Sequence, residues 1–106
     1  MKHLALTFDD GPGLTTMPRI LDLLKQEGAR ATFFLWGEKI NSQTAPVLHR
    51  ALEEGHELAN HSMHHLHMSR LSREEVICEV EDLQRLLRPF GVTPSLFRPP
   101  YLDHNE

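Results

Sequence analysis

The 106-residue sequence has one cysteine, no long apolar run and fewer basic than acidic residues. Each shortage excludes a class of protein. A lone thiol, Cys78, closes no internal disulfide; it falls among helical positions and is expected to be a small buried or half-buried filler. The apolar stretches fall far short of the roughly 20 residues that a membrane-crossing helix needs. The first residues lack the charged region, apolar core and cleavage site of an export signal, so the expectation is a soluble, cytoplasmic protein without a membrane partner. Eleven Lys and Arg against fifteen Asp and Glu leave a net charge of −4, which excludes a nucleic-acid partner held by phosphate contacts. Without repeat, linker or low-complexity segment, the chain reads as one domain.

Histidine is abundant instead: eight residues, four of them in "HSMHHLH" at 61–67. Apolar patterning places that cluster in an alternating chain. Leu4, Ala5, Leu6 and Phe8 form a first strand, read as buried, that ends in Asp9 and Asp10, and Gly11 and Pro12 turn the chain. Thr16 is the expected N-cap of a helix with Pro18 in its first turn, a stripe of Ile20, Leu21, Leu23 and Leu24, and Gly28 as its stop. "ATFFLW" at 31–36 reads as a strand covered on both faces; a helix over 44–54 follows, then a short strand at 56–60. "SREE" at 72–75 is a capping box before a helix carrying Val76, Ile77, Val80, Leu83, Leu86 and Leu87, and "SLFR" at 95–98 is a last short strand. The order β-α-β-α-β-α-β predicts a parallel α/β sheet, whose ligands bind at the carboxyl ends of the strands. Asp9, Asp10, His61 and Arg98–Tyr101 all fall at such ends.

Two adjacent carboxylates at the mouth of a strand repel unless something compensates. His61 and His65 are four apart and on one helical turn would share a face, so with one of the aspartates they make a two-nitrogen, one-oxygen set for a divalent metal. Such a set keeps a position open for water, whose pKa the metal lowers, and the second aspartate is then free to take the proton as the water attacks a carbonyl. The same set serves non-haem iron enzymes; the second aspartate favours hydrolysis. Arg98 is suited to orienting a carboxylate, and the stiff Pro-Pro turn to aiming the Tyr101 amide at a developing oxyanion. His3, His49, His56 and His104 read as surface or packing residues.

"TFDDGP", "HSMHH" and "FRPPY", in this order, resemble the first three motifs of the polysaccharide deacetylases, the chitooligosaccharide deacetylase-like carbohydrate esterases of family four. The resemblance runs from Leu4 to Tyr101, and "ATFFLWGE" and "GHELANH" also look like that family. It implies a distorted parallel (β/α) barrel and metal-dependent removal of acetyl groups from N-acetylated sugars. It implies Asp9 as catalytic base, Asp10, His61 and His65 as ligands of a divalent metal, zinc before cobalt or nickel, and Arg98 as the residue orienting the base. Tyr101 would line the groove and offer its amide to the oxyanion. Leu102 stands where the family often has glycine, and the family's later aspartate and Leu-x-His motifs, the latter supplying the general acid, do not follow. A full barrel takes ~200 residues. The expectation is therefore half a barrel, a domain over 1–106 truncated after the third motif, weak or inactive in turnover. Its open edges would be closed by a homodimer or larger assembly. A non-catalytic metal- or carbohydrate-binding module is the competing expectation, and a non-haem iron enzyme the third.

Overall fold

Three strands form, β1 (Leu6–Gly11), β2 (Ala31–Leu35) and β3 (Glu57–Asn60), all parallel in the order β1-β2-β3, with β-branched and aromatic residues densest in the central β2. This computed structural model describes residues 6–94 and 96–102. Leu4 and Ala5 of the expected first strand, Ser95 of the fourth, His3 and His104 lie outside the described residues. Helices α1 (Thr16–Glu27) and α2 (Ala45–Glu53) connect the strands, and α3 (Arg73–Leu87) follows β3. No helix among the described residues is long and apolar enough to cross a membrane.

Register divides the sheet into two unlike faces. Phe8, Phe33 and Leu58 are aligned across the three strands, and Phe8 stacks on Phe33 with ring centroids 5.4 Å apart. Against that face pack Met17, Leu21 and Leu24 of α1, Leu48 and Ala51 of α2, and Leu87 of α3. Residues one step along the strands point the other way. Thr7, Asp9, Thr32 and Phe34 therefore share a face on which no helix lies among the described residues.

The helices bury narrower stripes than composition suggests. α1 turns Met17, Leu21 and Leu24 inward, which leaves Leu23, two positions from Leu21 and so about 200° around the helix, 61% exposed. α3 buries Glu79, Leu83 and Leu87, spaced by four, so Ile77 lies on the opposite side and is exposed. Cys78, one step round from Glu79, is exposed too and not the buried or half-buried filler expected. The capping box is present: the Glu75 amide donates to Ser72 Oγ at 3.1 Å and Ser72 N donates to Glu75 Oε1 at 2.9 Å. Helix α1 is capped at Thr15, with no side-chain bond, rather than at Thr16.

Strand burial departs from expectation at both edges. β2, flanked on both sides, is largely buried as read. Among the described residues β1 pairs with β2 alone, so Leu6 is 38% exposed and the strand is not the buried one expected. The fourth strand is reduced to one parallel bridge, Asn60 to Phe97, because the chain turns at Pro99 and Pro100 into a short 3-10 turn before a ladder can form.

His56, at the start of β3, is buried and packs edge-on against Phe33. Its Nδ1 accepts the Ala31 amide at 3.0 Å, so the ring sits in its neutral form. Burial is the main cause that holds its pKa below the ordinary 6.5; nearby Arg30 and Arg50 act in the same direction and Glu54 against it. The unfolded chain takes up a proton as pH falls through 6.5 while the folded one resists, so this part of the stability is present above that pH and lost below it. His56→Phe should flatten the fall of melting temperature between about pH 7 and pH 5, and should cost about 1–3 kcal/mol at neutral pH by orphaning the Ala31 amide. An unchanged acid limb in thermal melts would contradict this role.

Candidate active site

In a regular strand Asp9 and Asp10 would point to opposite faces. The ladder shifts between them: Asp9 pairs with Phe34 and Gly11 with Leu35, which makes Asp10 the extra residue of a bulge. Asp10 takes a left-handed backbone (φ 71°), a region that aspartate tolerates better than most residues. Lys39 Nζ donates to the Asp10 carbonyl at 2.7 Å and holds the bulge. Both carboxylates therefore reach one open cleft of about 410 Å³, shared with His61, His65, Pro99 and Tyr101.

The two histidines arrive there by a route other than a helical turn. Residues 61–65 are irregular, with Ser62 and His65 left-handed at φ 76° and 56°. Each peptide N–H in the segment has its own partner. His61 N donates to the Leu35 carbonyl at 3.0 Å, and Ser62 N to the Asn60 side chain at 2.8 Å. Met63 N donates to the Glu79 carbonyl at 3.1 Å, His64 N to the Glu79 carboxylate at 2.8 Å, and His65 N to Ser62 Oγ at 3.0 Å. From the β2 side, Gly37 N and Glu38 N donate to the Ser62 and Met63 carbonyls. The helical turn expected for this spacing of four is absent, and an irregular path carries the two rings instead.

Held this way, both rings turn Nε2 toward the same oxygen: His61 Nε2 lies 3.1 Å and His65 Nε2 2.8 Å from Asp10 Oδ1. One ligand atom from each of Asp10, His61 and His65 falls within 4.8 Å of the others. His61 Nδ1 is 2.7 Å from the Arg98 carbonyl, which only accepts, so Nδ1 carries the proton. With Nε2 unprotonated, the ring would set its lone pair against a carboxylate lone pair of Asp10, an arrangement that a cation satisfies. Three donors of this type suit a divalent metal with a position left open.

Arg98 reaches across the helix-free face. Its guanidinium lies 4.2 Å over the Phe34 ring and donates to Asp9 Oδ1 at 2.7 Å and Thr7 Oγ1 at 3.3 Å. One residue thus sets the Asp9 carboxylate with its side chain and the His61 tautomer with its carbonyl. Tyr101, left-handed at φ 59° and 61% exposed, stacks on His67 at 4.0 Å and meets His65 edge-on at 4.8 Å. His64 turns to Glu79, whose hydrogen bond is the main cause that raises the His64 pKa above its ordinary value.

Sequence reasoning assembled Asp9, Asp10, His61, His65, Arg98 and Tyr101 at one site and missed their supports. Asn60, Ser62 and Lys39 left no signal beyond being polar near a strand end. Trp36 stacks on His65 at 4.6 Å and has Lys39 Nζ 4.6 Å from its ring centre, yet in sequence it reads as part of a strand. Glu79 did leave a signal: a charge four residues before Leu83 and eight before Leu87, on the stripe that faces the core.

Known proteins share this fold. The polysaccharide deacetylase family profile matches residues 1–106. A peptidoglycan-N-acetylglucosamine deacetylase of Bacillus cereus is 44% identical over 100 residues, covering 93% of this chain and 46% of that protein. A chitooligosaccharide deacetylase of a Bradyrhizobium species is 41% identical over 102 residues, covering 94% and 46%. The solved structure of a Bacillus subtilis peptidoglycan deacetylase superposes with a TM-score of 0.90 at 42% identity over 96% of this chain and 50% of that one. A family 4 acetyl xylan esterase from Clostridium thermocellum, solved with a cobalt ion, gives 0.90 at 37% identity, covering 93% and 49%. The chain spans about half the length of these proteins. The fold class expected, parallel β/α repeats making half of a distorted (β/α) barrel, is the one found.

A methyl group at position 37 would lie 2.5 Å from Met63 Sδ, 3.0 Å from Met63 Cα and 3.3 Å from Leu83 Cδ1. The sulfur can swing away; the Met63 backbone, tied on both sides, cannot. Gly37→Ala should cost about 1–3 kcal/mol by overpacking, visible in a thermal melt. An unchanged melting temperature would mean that the 61–65 segment yields freely.

Proposed function

The chain belongs to the polysaccharide deacetylase family, and on that footing we propose that it carries the metal ligands and base of a hydrolase removing acetyl groups from N-acetylated sugar oligomers or polysaccharide. The observation that carries the reading is the double role of Arg98, which aligns Asp9 and, through its carbonyl, presents His61 Nε2 to the Asp10 oxygen. Asp10, His61 and His65 would hold one divalent ion, zinc in the first place and cobalt or nickel as alternatives. When bound, the ion would polarise the acetyl carbonyl and make water acidic enough to react near neutral pH. Asp9 takes the proton from the attacking water, and the Arg98 hydrogen bond fixes that carboxylate in direction. The Tyr101 ring lines the cleft, and its amide is assigned to the developing oxyanion. A proton donor for the departing amine is expected, through the family resemblance, from motifs outside these residues, so the 106-residue chain alone should turn over ~100 to 10,000-fold more slowly than a complete deacetylase.

Zinc titration of the metal-free chain should give one site per chain. Asp10→Ala and His61→Ala should each abolish it, while Asp9→Asn should keep the metal and remove what hydrolysis of acetylated chitooligosaccharides there is. Unaltered stoichiometry in both ligand variants would sink the assignment, and metal loss in Asp9→Asn would exchange the two aspartates. Iron as the sole tightly held metal in untreated protein would favour the oxygenase alternative.

Association is the second proposal. Among the described residues β1 has one open edge, and Leu6, Leu96 and Phe97 are exposed at the two margins of the sheet. A second copy of the chain could cover both. Sedimentation equilibrium at micromolar concentration should show a dimer or larger species; a cooperatively melting monomer would exclude it.

A further inference from the structure

Glu79 lies outside the set of ligands, base and orienting arginine, yet it is 6% exposed and sits on the inward stripe of α3 ahead of Leu83 and Leu87. A carboxylate in that position is costly unless its oxygens are bonded. Both are used, and both on the same residue: Oε1 accepts the His64 amide at 2.8 Å and Oε2 accepts His64 Nδ1–H at 2.6 Å. The main-chain carbonyl of Glu79 takes the Met63 amide at 3.1 Å. One residue of α3 therefore holds the two positions immediately before His65, and none of these bonds is to Asp10, His61 or His65. His65 itself has a left-handed backbone that a non-glycine residue adopts only where its surroundings enforce it.

Resting on the metal reading above, we propose that Glu79 is a positioning residue for the metal centre: it sets the path of the 61–65 segment from the helix side, so that loosening it weakens metal binding without removing a ligand. An apolar residue at 79 would pack against Leu83 well enough, but it would leave the His64 amide without its partner and release the turn on which His65 is carried. Groups that orient ligands in this way are commonly worth about 10–100-fold in metal affinity.

The test compares wild type, Glu79→Ala, Glu79→Gln and Leu87→Ala by zinc titration and by the visible spectrum of the cobalt-loaded chain. Leu87 is fully buried on the same helix stripe and belongs to the apolar core, so its truncation destabilises α3 without touching residues 61–65. Glu79→Ala should bind zinc about 10–100-fold more weakly with an altered cobalt spectrum. Glu79→Gln, whose side-chain oxygen still accepts the His64 amide, should recover part of the loss, and Leu87→Ala should keep wild-type affinity and spectrum. Wild-type affinity and spectrum in a folded Glu79→Ala would overturn this inference alone, and so would an equal loss in Leu87→Ala. If Glu79→Ala does not fold, Glu79→Gln decides by the same criteria, and failure of both to fold makes Glu79 a residue of the fold only and overturns the proposal. No one-to-one zinc site in wild type would overturn the metal reading, and this inference with it.

Discussion

Five consecutive peptide N–H groups, those of residues 61–65, decide where the two histidine rings go. In a helix they would bond to carbonyls four residues back; here each bonds to a different partner, drawn from β2, β3, α3 and the segment itself. A buried amide without a partner costs about 1–3 kcal/mol, so any other path through this space forfeits several bonds at once. Two left-handed residues are tolerated as the cost of that path. The site depends on it because the imidazoles can meet the Asp10 oxygen only when their backbone is already in place.

Asp10 meets them through a second local irregularity. The bulge in β1 undoes the alternation that would have sent neighbouring carboxylates to opposite faces, and so places both Asp9 and Asp10 in one cleft. Lys39 secures the bulge by its carbonyl, and Arg98 secures Asp9 by its carboxylate. Both aspartates are thereby anchored through groups that leave the Asp10 carboxylate free for the histidines.

The two faces of the sheet divide structural from chemical duties. Phe8, Phe33 and Leu58 hold three helices on one side through apolar burial. On the other side, the guanidinium over Phe34 and the hydroxyl of Thr7 are arranged around Asp9. These contacts lie on the face opposite the apolar core, with the cleft at the carboxyl ends of the strands.

The residues alone determined the alternation of strands and helices, the parallel class, the α3 capping box and the six side chains that meet at the strand ends. They did so because these are local matters: apolar periodicity, cap chemistry, and carboxylates and histidines at predicted strand ends. The family motifs added which aspartate is read as base and which as ligand. The rest needed the fold. That residues 61–65 do not form a helical turn follows from hydrogen bonds to Leu35 and Glu79, which lie 26 and 15 residues from the amides they accept. That β1 is exposed follows from its having one neighbour among the described residues, and that Cys78 is exposed follows from which side of α3 meets the sheet. Only tertiary structure could assign Glu79 its place, because a carboxylate on an apolar stripe looks like an error in the pattern until the His64 amide is seen to require it.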